Sequence, residues 1–199
     1  MFVALEGIDG TGKTTLVSML TKELEKGGYR VFATREPTER FHVPEDIVKS
    51  RDAVSGLSLF FRFTEDRFVH QREISEHLEK GEIVLCDRYI LSSMAYQGVL
   101  LEKYFQSRAK TIEWMSAVSD AIKIRPDITF YIDVDPEISM KRISRRGAFT
   151  GFEEKEYLSA VRDFYNAISY EGKITLDGSG SVEKNFKEIN EILTDRIRQ

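Results

Sequence analysis

The stretch Gly7-Ile8-Asp9-Gly10-Thr11-Gly12-Lys13-Thr14-Thr15, directly behind the apolar run Phe2-Val3-Ala4-Leu5-Glu6, constrains this chain more than any other. It matches the pattern G-x-x-x-x-G-K-[ST] in the strand, loop and helix setting that the pattern requires. Its glycines free the backbone to turn with positive φ and to bring N–H groups against phosphate oxygens, an anion-binding concavity. The helix that follows points its positive end the same way. Lys13 adds a full charge for the β- and γ-phosphates, and the Thr14 hydroxyl is placed to ligate Mg²⁺. Leu16, Leu20 and Leu24 recur on one helical face behind the loop, and Gly27-Gly28 stops the helix. A nucleoside triphosphate site from Gly7 to Thr15 is the expectation.

The rest of the chain alternates between strand and helix signals. Runs at 2–6, 30–34, 83–86, 128–133 and 173–176 read as strands and are separated by helical patterns. That order predicts an α/β fold: a five-stranded, mostly parallel sheet with helices on both faces. One P-loop kinase domain is expected over residues 1–199, with a small lid at 141–156. A long helix is expected over 52–80, ended by Gly81, and another over 103–123. The helix expected over 52–80 is more apolar than one buried face needs, so part of it should line a pocket as well as a core.

Composition narrows the function. The 29 basic and 33 acidic residues leave a net charge of −4, which argues against nucleic-acid binding through a basic surface. The single cysteine, Cys86, excludes an internal disulfide and reads as a buried free thiol. His42, His70 and His77 lack zinc-ligand spacing with it. No apolar run approaches the roughly 18 to 20 residues of a membrane span, so a cytoplasmic protein is expected.

A phosphate loop is common to switches, motors and kinases, so the acceptor must be read elsewhere. In Ile83-Val84-Leu85-Cys86-Asp87-Arg88-Tyr89 a carboxylate ends a buried strand, where open α/β sheets bind ligands. Asp87 is a candidate to hold the metal, directly or through water. Arg88 beside it offers a planar fork for phosphate oxygens. Ser93, Tyr96 and Gln97, three and four apart, share one helical face and form a polar strip suited to a nucleoside.

These segments, with Thr34-Arg35-Glu36-Pro37 and the Phe63-x-x-x-Arg67 pair, resemble the thymidylate kinases in order and spacing. The resemblance runs on through Arg145-Arg146-Gly147-Ala148-Phe149 and Leu176-Asp177-Gly178-Ser179, so it covers nearly the whole chain. It implies transfer of the γ-phosphoryl of ATP to dTMP with Mg²⁺, in a homodimer. By that resemblance Phe63 stacks on thymine, Arg67 reads the base edge and Ser93 contacts the base. Tyr96 lies near the sugar, Asp9 near its 3′-hydroxyl, and Arg88 at the acceptor phosphate; Arg35 and Gln97 complete the substrate side. Some relatives carry an arginine where this chain has Gly10, so a lid arginine, Arg145 or Arg146, is expected to join Lys13 and Arg88 in catalysis. Many bacterial relatives follow Arg-Glu-Pro with Gly-Gly-Thr, whereas this chain has Thr38-Glu39-Arg40. The alternatives are a kinase for another deoxynucleoside or nucleoside monophosphate, or a P-loop switch whose output is a partner contact.

Overall fold

A computed structural model describes residues 1–44, 47, 50–144 and 155–198. Its strands are β1 (Phe2–Glu6), β2 (Val31–Arg35), β3 (Ile83–Asp87), β4 (Ile128–Asp133) and β5 (Lys173–Asp177). The helices among the described residues are α1 (Lys13–Lys26), α2 (Ala53–Glu79), α3 (Ile90–Phe105) and α4 (Arg108–Ser119), then α5 (Pro136–Ser144), α6 (Lys155–Ala167) and α7 (Val182–Ile197). All strand pairs are parallel, in the order β2-β3-β1-β4-β5. The expected α/β sheet is therefore present, with strand ends within one residue of those read from sequence.

Alternation along each strand explains the two cores. Phe2, Ala4, Val84, Cys86 and Tyr131 face one layer, packed with α2, α3, α4 and α6. Val3, Leu5, Leu85, Phe130 and Ile132 face the other, where Leu16, Leu20 and Leu24 of α1 and Ile189 and Leu193 of α7 cover them. Burying each of the larger aliphatic and aromatic side chains contributes about 1.5 to 3 kcal/mol before chain entropy is set against it. Gly98 marks where α3 and α6 approach closely: a Cβ there would lie 2.6 Å from the Phe164 ring.

The helix expected over 103–123 is two helices. Gln106 turns left-handed at φ 53, and the Ser107 side chain caps a new start by accepting the Lys110 N–H. Periodicity alone could not show this break, because apolar residues continue on both sides of it. The α2 boundaries come from local chemistry. Asp52 accepts the Ser55 N–H at 2.7 Å at one end, and Gly81 turns with φ 73 at the other. The lid expected at 141–156 falls mostly outside the described residues, as do Arg145 and Arg146; Lys141 to Ser144 complete α5 and Lys155 opens α6. No helix among the described residues is long and apolar enough to cross a membrane.

The strand order places the site. β1 is flanked by β3 on one side and β4 on the other, so the chain reverses its direction of winding at β1. The loops leaving β1 and β3 therefore meet at the carboxyl edge, at the crevice where such sheets take ligands.

Candidate active site

The loop after β1 closes on a compartment of about 150 Å³ lined by Asp9, Gly10, Gly12, Lys13, Thr14, Thr15, Asp87 and Arg88. Gly10 has φ 76, and a Cβ on it would meet the Ser139 carbonyl at 2.8 Å, so no other residue fits this turn without strain. Lys13 opens α1 and folds its ammonium back over the loop, donating to the carbonyls of Gly7 (3.0 Å) and Ile8 (2.9 Å) and to Thr11 Oγ1 (3.2 Å). Burial, and then the Arg88 charge, hold the Lys13 ammonium down at about 8.

Thr14 Oγ1 donates to Asp87 Oδ2 at 2.5 Å, joining the start of α1 to the end of β3. Asp87 Oδ1 is buried without a hydrogen-bond partner. A hydroxyl and a carboxylate that line the compartment together, with one carboxylate oxygen unpartnered, fit a hard cation such as Mg²⁺, which keeps several waters and takes few protein ligands.

Arg88 is the hub of the site. It sits at φ 71, a conformation costing about 1 to 3 kcal/mol in a non-glycine residue and sustained only by its surroundings. Its N–H donates to the Leu5 carbonyl at 2.9 Å, and the Tyr89 N–H donates to Glu6 Oε1 at 2.9 Å, which pins the turn between β1 and β3. The guanidinium donates to Gly7 O (3.1 Å), Ser92 Oγ (3.0 Å) and Asp9 Oδ1 (2.6 Å). It also lies over the Tyr96 ring, 5.1 Å from the centroid. Tyr96 Oη donates to Asp9 Oδ2 at 2.8 Å and accepts the Asp9 N–H at 3.0 Å. Burial pushes the Asp9 carboxyl up, but the charges of Arg88 and Lys13 outweigh it and leave it below the usual carboxylate range. Behind them Glu6 is fully buried, and its carboxyl is raised by that burial. It accepts the Ser92 hydroxyl at 2.5 Å and the Tyr165 hydroxyl at 3.1 Å.

Across Asp9 and Arg88 lies a second cavity of about 280 Å³. Leu59 and Phe63 of α2, Phe41, Pro37 and Tyr89 form its apolar walls. Phe63 stacks on Phe41 with centroids 4.4 Å apart and planes 17° from parallel. Arg67, Ser93, Tyr96 and Gln97 supply the polar groups. Arg67 is 1% exposed; its Nε donates to Glu36 Oε2 at 2.6 Å, and its Nη2 to Tyr89 O and Ser93 Oγ at 3.0 Å each. Gln97 Oε1 is buried and unpartnered. An apolar slot that also carries polar groups suits a planar heterocycle, and it shares Asp9 and Arg88 with the phosphate-sized compartment.

The family model described as thymidylate kinase matches residues 5–189. The chain belongs to the thymidylate kinase family. A probable thymidylate kinase from Thermoplasma acidophilum is 44% identical, the alignment covering 100% of this chain and 98% of the relative. One from Thermoplasma volcanium is 42% identical over 99% of each chain. A third, from Pyrobaculum aerophilum, is 35% identical over 99% of this chain and 98% of the relative. The membership read from the sequence is borne out over nearly the whole chain.

Most of the residues singled out by the phosphate-loop pattern and the thymidylate kinase resemblance converge on the two cavities: Asp9, Phe63, Arg67, Arg88, Ser93, Tyr96 and Gln97 on one, and Gly10, Gly12, Lys13, Thr14 and Thr15 with Asp87 and Arg88 on the other. Ile8 offers only its backbone, since its side chain is 1% exposed within the core. Arg35 does not reach the heterocycle slot. It lines a separate cavity of about 540 Å³ beside Thr14 and Asp87, together with Thr38, Glu39 and Arg40. Thr38 takes the place of a glycine in many bacterial relatives, and both its N–H and its hydroxyl donate to Asp66, at 2.8 and 2.5 Å. Of the basic cluster, Arg142 turns back to cap the β5–α7 turn, donating to the carbonyls of Gly178, Ser179 and Gly180. Sequence reasoning missed Glu6, Glu36, His70, Phe41 and Ser92. Glu6 and Ser92 lie inside segments already singled out, and an acid ending an otherwise apolar strand is the signal that was available for Glu6. Nothing in the spacing marks Phe41 or His70.

Proposed function

We infer that the protein is an ATP-dependent thymidylate kinase that transfers the γ-phosphoryl of ATP to the 5′-phosphate of dTMP, giving dTDP and ADP. The observation that carries this reading is the sharing of Asp9 and Arg88 between a phosphate-sized compartment and a heterocycle-sized slot. An acceptor nucleotide whose base lies between Phe63 and the Arg67–Ser93 edge would direct its phosphate toward Arg88, opposite the donor. Reading the base requires hydrogen-bonding groups, because unpaired polar groups penalise the wrong one. Arg67, Ser93 and Gln97 supply them. Tyr96, held against Asp9, is positioned to crowd a ribose 2′-hydroxyl.

Transfer is in line and direct. An oxygen of the acceptor phosphate forms the new P–O bond as the bond to the β,γ-bridging oxygen breaks, and ADP leaves with the electron pair. No general base is required, because the second pKa of a phosphate monoester is about 6. Lys13 and a lid arginine, Arg145 or Arg146, would stabilise the migrating charge. Thr14 and Asp87 would hold Mg²⁺, which would supply positive charge to offset that of the donor phosphates. The apolar stripe Val54, Leu57, Phe61 and Phe68 on one face of α2 is exposed by 77, 37, 48 and 46%. It supports a homodimer formed through this helix. The substrates, both intracellular nucleotides, support a cytoplasmic setting.

The test is ADP release from Mg·ATP with dTMP, dUMP, dCMP, dGMP, CMP and UMP as acceptors, beside a control without acceptor. A strong preference for dTMP is expected. Equal rates across acceptors would refute base reading, and ATP binding without turnover on any of them would refute the kinase assignment.

A further inference from the structure

A buried polar chain leads away from the slot, and the reaction itself makes no use of it. His70, 0% exposed in the middle of α2, has its Nε2 2.9 Å from Thr34 Oγ1 of β2 and its Nδ1 3.1 Å from Glu36 Oε1. The other oxygen of the same carboxylate accepts Arg67 Nε at 2.6 Å. An ionised carboxylate only accepts, so the network assigns the proton to Nδ1 and leaves Nε2 to accept the Thr34 hydroxyl. The chain runs Thr34, His70, Glu36, Arg67, Ser93, and its last three members line the slot.

We propose that His70 is a positioning residue for base recognition, locking the Glu36 carboxylate in the rotamer that holds Arg67 against the edge of the slot. The proposal rests on the assignment of Arg67 as the base-reading residue. Packing does not call for an imidazole here. Ile74, one turn further along α2, fills its buried place in the core without polar atoms, so burial on this face of the helix does not itself require a polar ring. A buried ion pair such as Glu36–Arg67, with side chains 3% and 2% exposed, is poor value for stability because both charges lose their hydration. It does give a guanidinium with a fixed direction. Without the Nδ1–H, one oxygen of Glu36 would be left unpaired in the interior. The carboxylate would then rotate, and Arg67 would lose its fixed aim toward a pyrimidine carbonyl. A cytosine base presents an amino group at that edge and has no such contact to lose.

The experiment measures kcat and KM for dTMP and dCMP, and KM for ATP, in His70→Leu, His70→Asn and Glu36→Gln. Loss of one charge-assisted hydrogen bond predicts that His70→Leu raises KM for dTMP about tenfold, with kcat at saturation within about twofold. KM for ATP should be unchanged, and the dTMP-to-dCMP preference should fall by about the same factor as KM rises. His70→Asn, whose amide N–H overlies Nδ1–H, should restore most of the loss. Wild-type behaviour of His70→Leu, a parallel rise in KM for ATP, or His70→Asn no better than leucine would each overturn the proposal. Should His70→Leu fail to fold, Glu36→Gln keeps the shape and breaks the next link, with the same readouts deciding. Arg67→Met separates the two readings. If it leaves the base preference intact, Arg67 is not the reader and the proposal falls with it. If it abolishes the preference while His70→Leu and Glu36→Gln do not, the relay alone is refuted.

Discussion

Lys13 makes the rate depend on pH in a direction and range that its surroundings dictate. Burial and the neighbouring Arg88 lower its ammonium from 10.5 to about 8, a displacement worth roughly 3 kcal/mol. The unfolded chain holds this proton more tightly than the folded one. The penalty is therefore complete below pH 8 and is relieved as pH rises from about 8 towards 10.5. Only the charged form attracts a polyphosphate. Going from pH 7 to pH 9 lowers the protonated fraction of a group at about 8 from about nine-tenths to about one-tenth, so kcat/KM for ATP should fall roughly tenfold. Bound triphosphate restores the charge, so kcat at saturating ATP should stay nearly flat over the same range. ATP binding near pH 8 should take up about half a proton, measurable by calorimetry in buffers of different ionisation enthalpy. Lys13→Arg, which stays charged, should flatten the kcat/KM profile at a lower absolute rate. A flat wild-type profile, or the same inflection in Lys13→Arg, would refute the reasoning.

Three further outcomes are expected. Phe63→Ala removes the ring facing the slot and should raise KM for dTMP by about tenfold or more, as base stacking worth roughly 1 to 3 kcal/mol requires, with KM for ATP unchanged in steady-state assays. Thr14→Ala and Asp87→Asn should each raise the Mg²⁺ concentration for half-maximal rate, by about tenfold or more for Asp87→Asn, as read from metal titrations at fixed ATP. Phe61→Glu places a charge in the exposed stripe of α2 and should shift the protein to monomers in sedimentation velocity, with little change in thermal stability because the ring is half-exposed.

The parts of this molecule that could be read from the sequence are those governed by local rules. The phosphate loop, the alternation of strand and helix, the Asp52 and Gly81 ends of α2 and the one-face spacing of Ser93, Tyr96 and Gln97 each follow from periodicity or backbone chemistry within a few residues. The break at Gln106 was hidden because a left-handed non-glycine residue leaves no mark in an apolar pattern. Phe41 enters the slot only through its stack on Phe63, a contact between a loop and a helix that no spacing encodes. Arg35 shows the converse. The family resemblance put it on the substrate side, yet successive residues at a strand end point opposite ways. Glu36 is buried beside the slot while Arg35 lies exposed at the next cavity.

What the sequence hid has a common physical form. Two arginines line the slot, and each is held by a buried carboxylate that a reading for stability alone would count against the fold: Glu6 behind Arg88 through Ser92, and Glu36 directly on Arg67. Glu6 and Glu36 are 0% and 5% exposed and lie on or just past strands of the same sheet. Burying such charges costs free energy unless every oxygen finds a donor. Here the donors come from α2, α3 and α6, through His70, Ser92 and Tyr165. The two apolar faces of a fully parallel sheet carry the stability, which leaves its carboxyl edge free to spend some of it on orientation. Transfer between two anions needs cations that are already aimed before the substrates arrive. A pair of flexible surface arginines would carry the same charge, but they would have to be ordered during the reaction. On the proposed reading the buried acids therefore belong to the candidate active site even though neither would touch the transferred group.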